Sequence, residues 1–355
     1  MKLDRVSPGR VLRNSGLLVR LPVGVLGLAL AASLLGAEPP PLISRSGGLE
    51  DMVLQLPPIK MIVKPSKSEI EITLHDRSLL LFSMAPEQFK PYVKELRTLR
   101  GDNFLLDSPP DHRHHHGLMY GITVNGRNFW EEANDPGVEE VSPVPMRYVA
   151  RTPEGHPMAV FTQGIFWLAD TNREAPDRFE RALLREVRTL TLVADEAAGE
   201  VALAWHAEFT AGPGADVVKL TGANYHGLGM RFVRAFDHQA KHLNSENTPY
   251  SAEQRGDVTP ARWAATEHEI DGHPVTAAIF ASPHNAGESR FFSMLDPFAY
   301  LSATQNLDQA PLEYKKGDKF TLDYLVLNYP DHKSREFLEA RYQKWLKELE
   351  AKTKP

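Results

Sequence analysis

The sequence predicts a mainly β protein: a large antiparallel β-sandwich with one C-terminal α-helix. Three observations predict it. Short β-rich apolar segments recur along the chain, several alternate with a two-residue period, and the strongest helical pattern is confined to the C-terminus. Candidate strands are Glu69–Leu74, Ser78–Ser83, Leu118–Val124, Met158–Leu168, Leu190–Val193, Val201–Thr210, Val217–Leu220, Gly229–Val233, Val275–Ala281, Phe291–Met294 and Phe320–Asn328. Ile70, Ile72 and Leu74 face one way while Glu69, Glu71 and Thr73 face the other, as in a half-buried strand. Asn125-Gly126 after a strand is a hairpin signal. A chain of this length calls for about fifteen strands or more.

The helix is expected from about Ser334 to Ala351. Ser334 caps it, and Phe337, Leu338, Tyr342, Trp345, Leu346 and Leu349 form the apolar stripe that packs on the sheet. A shorter helix is expected over Pro86–Tyr92.

The N-terminus reads as a secretory signal. Lys2, Arg5, Arg10, Arg13 and Arg20 precede the apolar run from Leu21 to Leu35, and Glu38-Pro39-Pro40-Pro41 breaks any helix. Cleavage is placed after the small residue Ala37. There is no tight Arg-Arg pair, so general export fits better than twin-arginine export. No later segment has the apolar length of a membrane span. The organisation expected is residues 1–37 as signal peptide, 38–54 as a flexible segment, 55–332 as one β-sandwich domain and 333–355 as a helix packed on it. The destination is the periplasm or the exterior.

Cysteine is absent, which removes disulfides, thiolate ligands and a cysteine nucleophile. The first 37 residues carry five basic and one acidic side chain, and taking that +4 from the whole chain's −6 leaves −10 for the remainder. An acidic protein of this kind is a poor partner for nucleic acid. A small-molecule or oligosaccharide ligand suits it better.

Asp111-His112-Arg113-His114-His115-His116-Gly117 is the densest chemical feature, with four of the chain's 14 histidines. Imidazole both ligates metals and shuttles protons near neutral pH. If the segment is extended, His112, His114 and His116 share one face and His115 takes the other. Three readings stand open. His112 and His114 could hold a divalent metal, with Asp111 as third ligand or as the partner that fixes a tautomer. The histidines could instead do metal-free acid–base work. They could also be a hydrogen-bonded structural cluster. Trp130, followed by Glu131 and Glu132, is a candidate stacking platform for a sugar ring or a core residue.

Other candidates are spread along the chain. Asn224 to Arg231 contains two glycines but lacks the strand–GxGxxG–helix context of a dinucleotide loop. His226 and Arg231 in it are candidate pocket residues, or else a turn residue and a structural ion pair. His284 and Asn285 follow an apolar strand, where sites are often carried. Glu186 is a candidate general base, or else the partner of Arg185 or Arg188 in a cross-strand ion pair. No Gly-x-Ser-x-Gly elbow, kinase signature or P-loop is present.

These residues resemble a bacterial family of exported proteins labelled "PmoA family" or "methane oxygenase PmoA", otherwise a domain of unknown function. Its pattern is Asp-His-Pro-His-His-Arg-Gly-Leu, then a strand, Asn-Gly and Phe-Trp. Here it reads Asp111 to Leu118, Asn125-Gly126 and Phe129-Trp130, with Arg113 in place of proline and His116 in place of arginine. Gly227 to Arg231 and Pro283 to Asn285 also correspond, so the likeness spans roughly residues 55–330. The label is not an activity, since a multi-span membrane subunit is incompatible with a chain lacking spans after residue 37. The resemblance implies a supersandwich-like, galactose-mutarotase-like fold and, by analogy, carbohydrate as ligand.

The leading expectation is an exported carbohydrate-active protein acting on a sugar or oxidised sugar, as an epimerase, lyase or hydrolase. His112, His114, His115 and Glu186 would be catalytic, and Asp111, Trp130, His226, Arg231, His284 and Asn285 would bind substrate. The alternatives are a non-catalytic carbohydrate-binding protein and a metal-binding oxygenase-like protein.

Overall fold

The computed structural model describes residues 61–133, 136–142, 146–172, 174–250 and 256–353. The expected signal peptide and the segment 38–54 lie outside these residues. The described chain is mainly β, with 22 strands in three antiparallel sheets and one C-terminal helix.

The first large sheet has nine strands. It runs in space from Met61–Pro65 through Glu69–Leu74, Arg77–Ser83, Tyr92–Leu96, Leu118–Gly121, Gly227–Arg231, Tyr300–Thr304 and Arg290–Met294 to Asp257–Pro260. The second also has nine. Its central strands are Lys319–Tyr329, Glu200–Ala211, Leu184–Asp195 and Pro157–Leu168. A four-stranded sheet contains the hairpin Thr123–Val124/Arg127–Asn128. Asn125 and Gly126 turn that hairpin with φ of 49° and 80°, as the Asn-Gly pair predicts.

The two large sheets face each other across one core. Leu80, Phe82, Leu118, Tyr120, Leu228 and Leu301 of the first meet Phe161, Leu190, Trp205 and Val326 of the second. Strand alternation then decides what lies on the other face of the first sheet. Met119, Gly229, Arg231, Tyr300, Ser302, Phe292 and Met294 all point away from the common core. A separate aromatic cluster forms there from Tyr92, Met119, Trp130, Phe292, Phe298 and Tyr300.

The C-terminal helix, Arg335–Thr353, covers the outer face of the second sheet. Ser334 caps it as expected, its Oγ accepting from Phe337 N at 3.2 Å. Leu338, Tyr342 and Trp345 are buried against Phe280, Leu325 and Tyr329. Each contributes about 1.5–3 kcal/mol before ordering costs. Phe337 departs from the expected stripe, standing 40% exposed beside the Tyr329 ring.

Pro86–Tyr92 is not a helix. Gln88 makes a single turn onto Ala85 O, its side chain bridges Ser83 and Tyr92, and Tyr92 begins a strand. Pro91 disfavours helical geometry at Lys90, which ends any helix there. Leu118–Val124 breaks into Leu118–Gly121 and Thr123–Val124, which join different sheets.

An island of charge is sealed inside the sandwich. Glu186 and Arg188 lie two residues apart on one strand, so both point into the core. Arg188 donates from Nε to Glu186 Oε1 at 2.6 Å, and from Nη2 to Glu186 Oε2 at 2.9 Å and Glu139 Oε2 at 3.2 Å. Trp167 Nε1 donates to Glu186 Oε2 at 2.8 Å.

Candidate functional site

The histidine segment is a pair of turns rather than a strand. His112 N donates to Pro109 O, His115 N to His112 O, and Ser108 N to His115 O. Ser108 Oγ closes the loop onto Arg113 O at 2.7 Å. Strand alternation therefore does not apply. The turns gather His112, His114 and His115 together, with ring centroids 4.7 Å (112–115), 4.6 Å (114–115) and 6.0 Å (112–114) apart. His116 points elsewhere. Its ring stacks on Tyr92 at 4.1 Å, with Nδ1 on Asp107 at 2.9 Å and Nε2 on Glu132 at 2.8 Å.

The three imidazoles open into a cleft of about 530 Å³ on the face of the first sheet that is turned away from the second. Its walls hold His112, His114, His115, Trp130, Glu131, Asn224, Tyr225, Phe292, Met294, Phe298 and Tyr300. Two glycines make room for this wall. A Cβ on Gly229 would lie 1.8 Å from the Tyr300 hydroxyl, and one on Gly227, whose φ is +128°, would lie 2.2 Å from Ala303 O. The Gly-Leu-Gly segment thus serves packing under the cleft.

Two loops meet at the cleft and are held together by charge. Asn128 Oδ1 accepts from Trp130 N and Glu131 N, both at 2.9 Å, and so fixes the second loop. Glu132 Oε1, just beyond, takes both His116 Nε2 and Lys90 Nζ, the latter at 2.9 Å. Lys90 also donates to Trp130 O at 3.1 Å. Burial disfavours the His116 cation, but hydrogen bonds to Asp107 and Glu132 outweigh it and raise its pKa. Burial likewise opposes the Glu132 anion, yet His116 and Lys90 hold its carboxyl at about 2.

His114 and His115 go the other way. Burial, then the Lys90 charge, lowers His114, with Glu131 opposing. Burial and the neighbouring imidazoles push His115 down to about 2. Near neutral pH both are neutral bases. Tyr225 donates to Glu131 at 2.8 Å, and burial together with that carboxylate raises its phenol pKa.

The pattern of one family, described as "Family of unknown function (DUF6807)", matches residues 69–343. The chain belongs to DUF6807. That span compares with the expected 55–330, and the description it carries is of unknown function. No curated protein matches the chain. Among solved structures, the chain is similar to the GH36 α-galactosidase AgaB from Geobacillus stearothermophilus, at 12% identity and a TM-score of 0.44. That likeness covers 76% of this chain and 41% of the galactosidase, so the chain spans well under half of that enzyme's length. The galactosidase domain of α-galactosidase-sucrose kinase AgaSK gives 12%, 0.41, 76% and 42%. A galactose mutarotase related enzyme from Lactobacillus acidophilus gives 10%, 0.28, 77% and 97%.

The other candidate residues of this DUF6807 chain are placed variously. Asp111 sits at the mouth, ion-paired to Arg234 at 2.9 Å and 3.3 Å from His112 Nδ1. Trp130 lends the cleft its edge, because His226 stacks on its face at 5.4 Å and 8°. His226 is buried behind it with neither ring nitrogen hydrogen-bonded. Arg231 is buried beneath Phe298, its guanidinium 4.1 Å from that ring, and donates to Asp237 and to Ala299 O. Glu186 was expected to face the cleft, but it belongs to the interior island with Arg188 and does not line it. His284 is exposed in its loop, and Asn285 ties that loop to the Asp323 backbone, donating at 3.0 Å and accepting at 2.6 Å. Neither lines the cleft.

The donor set was tested against a metal. Among the described residues no three His, Asp or Glu side chains come together as a metal ion requires. His112 and His114 pack edge-on against each other, and against Phe298 and Trp130 respectively. No step is routed through a metal here.

Sequence reading missed Glu131, Tyr225, Phe298 and Tyr300 as site residues. Glu131 and Tyr225 each stood one residue from a candidate, so adjacency was the available signal. Phe298 and Tyr300 reach the cleft only through sheet order.

A pH effect on stability follows from the buried neutral imidazoles. His115 and His226, held at about 2 and about 3, take up protons between there and 6.5 only on unfolding. The unfolded state binds more protons in that window, so stability falls as pH drops below 6.5. The slope reaches up to about 1.4 kcal/mol per pH unit for each histidine. Thermal melts from pH 7 to pH 5 should show a falling Tm. A Tm flat across that range would contradict the burial of both rings.

Proposed function

We propose that this protein is an exported, carbohydrate-active member of DUF6807 that moves a proton on a sugar or oxidised sugar bound in the histidine cleft. One observation carries the reading. His114, a half-buried neutral imidazole, lines the same cleft as the hydrogen-bonded Tyr225–Glu131 pair. A base and a protonated acid within one aromatic-walled cleft are what proton transfer at carbon or oxygen needs. His114 makes no hydrogen bond to another described side chain, which leaves its nitrogens for a ligand. Tyr225 keeps its proton and can return one. Phe292, Phe298, Tyr300 and the Trp130 edge supply the apolar surface that sugar rings favour.

Among the described residues the lining holds a single carboxylate, Glu131. Glycoside hydrolysis by the usual route uses two flanking carboxyl groups. This favours epimerase- or lyase-type chemistry over hydrolysis. Export rests on the sequence of residues 1–37. Among the described residues no helix is long and apolar enough to cross a membrane.

Incubation with a panel of sugars and keto sugars in deuterated water tests the reading. Accelerated anomer interconversion, hydrogen exchange at carbon, or elimination is expected for a sugar that binds. Sugars that bind yet undergo none of these would leave a binding protein without catalysis.

A further inference from the structure

We propose that the histidine cleft selects an uncharged sugar over its carboxylated counterpart, and that Glu131 sets this preference. The inference rests on reading the cleft as a sugar site and narrows what that site accepts. Its basis is how charge is distributed around the walls. Among the described residues the lining contains no lysine or arginine, and Glu131 is its sole carboxylate. Four nearby cations are each engaged by an anion outside the lining, while Arg113 of the histidine loop is exposed and does not line the cleft. Lys90 and His116 are bound to Glu132, His116 also to Asp107, Arg234 to Asp111, and Arg231 to Asp237. Arg231 lies behind the cleft wall, fully buried under Phe298.

Glu131 is different. Its Oε1 accepts the neutral Tyr225 hydroxyl, and it forms no ion pair among the described residues. Its remaining acceptor capacity faces a half-open cleft beside His114 and His115, whose pKa values burial lowers. A carboxylate so placed receives hydrogen bonds from adjacent sugar hydroxyls, which are donors. A uronate would bring a second anion into a partly desolvated space whose described lining offers no cation. The position of Glu131, next to Trp130 on a loop pinned by Asn128, keeps that charge fixed in the wall.

The test is calorimetric titration of the full protein with matched pairs: D-galactose against D-galacturonate, and D-glucose against D-glucuronate. The neutral member should bind about tenfold more tightly or better, as one nearby unit charge predicts. Added salt should narrow the gap by screening the charge. Glu131→Gln should narrow it about fivefold or more, while Tyr225→Phe, which keeps the carboxylate, should preserve it. If Glu131→Gln does not fold, the salt dependence of the wild-type gap decides. A uronate that binds as tightly as its neutral partner overturns the inference and leaves the sugar-site reading intact. If no sugar of either charge binds, the sugar-site reading itself falls, and this inference with it.

Discussion

His114→Ala should lower turnover by about 10²–10⁴-fold on any sugar the protein converts, the usual contribution of a positioned general base. The loss should fall on kcat more than on KM. The reason is local. His114 lines the cleft and touches His112, His115 and Trp130 only through ring contacts. Removing it deletes a base without orphaning a hydrogen-bond partner, so Tm should change little. Burial lowers the His114 pKa, so the imidazole stays neutral below the ordinary histidine range. Activity should therefore persist somewhat below pH 6.5 and fall once His114 is protonated. Unchanged turnover in the alanine variant, with substrate still bound, would remove His114 from the chemistry.

The second large effect concerns stability. Arg188→Ala leaves Glu186 and Glu139 buried around a missing cation. Removing one partner from such a buried pair typically costs about 3–5 kcal/mol. The loss is softened because Glu139 takes a proton readily. Burial lifts its carboxyl to about 8 despite Arg188, with Glu186 adding to the rise. Urea denaturation should show the midpoint shift at unchanged slope. Adding Glu186→Gln to Arg188→Ala should recover part of the loss, since the amide carries no charge and can still accept from Trp167 Nε1. A shift below about 1 kcal/mol would mean the island is hydrated and not sealed.

The fold was legible where alternation is strong. Glu69–Leu74 was read with its observed bounds, and the Ser334-capped helix within two residues at its C-terminal end. Tyr92–Leu96 and Trp263–Ile270 escaped because lysine, glutamate and alanine dilute their pattern, and packing settles their state. The site was legible as a motif and illegible as geometry. Reading 112–116 as extended put His112 and His115 on opposite faces, whereas turns at Pro109 and His112 bring them within 4.7 Å. Likewise Glu186 and His284 resemble site residues in sequence, and only the sheet registers and loop positions separate them from the cleft.

The double anchorage of His116 bears on how a ligand enters. With one nitrogen on Asp107 and the other on Glu132, the imidazolium joins the histidine loop to the Trp130 loop. Those two walls form one rigid jaw, further braced by Lys90. Breathing of the cleft is then left to the opposing jaw, the segment carrying Phe292, Met294 and Phe298 on the far side of Tyr300. A bulky ligand entering this cleft would be expected to displace the phenylalanines and not the histidine loop. Hydrogen exchange should accordingly be faster across 294–299 than across 107–117.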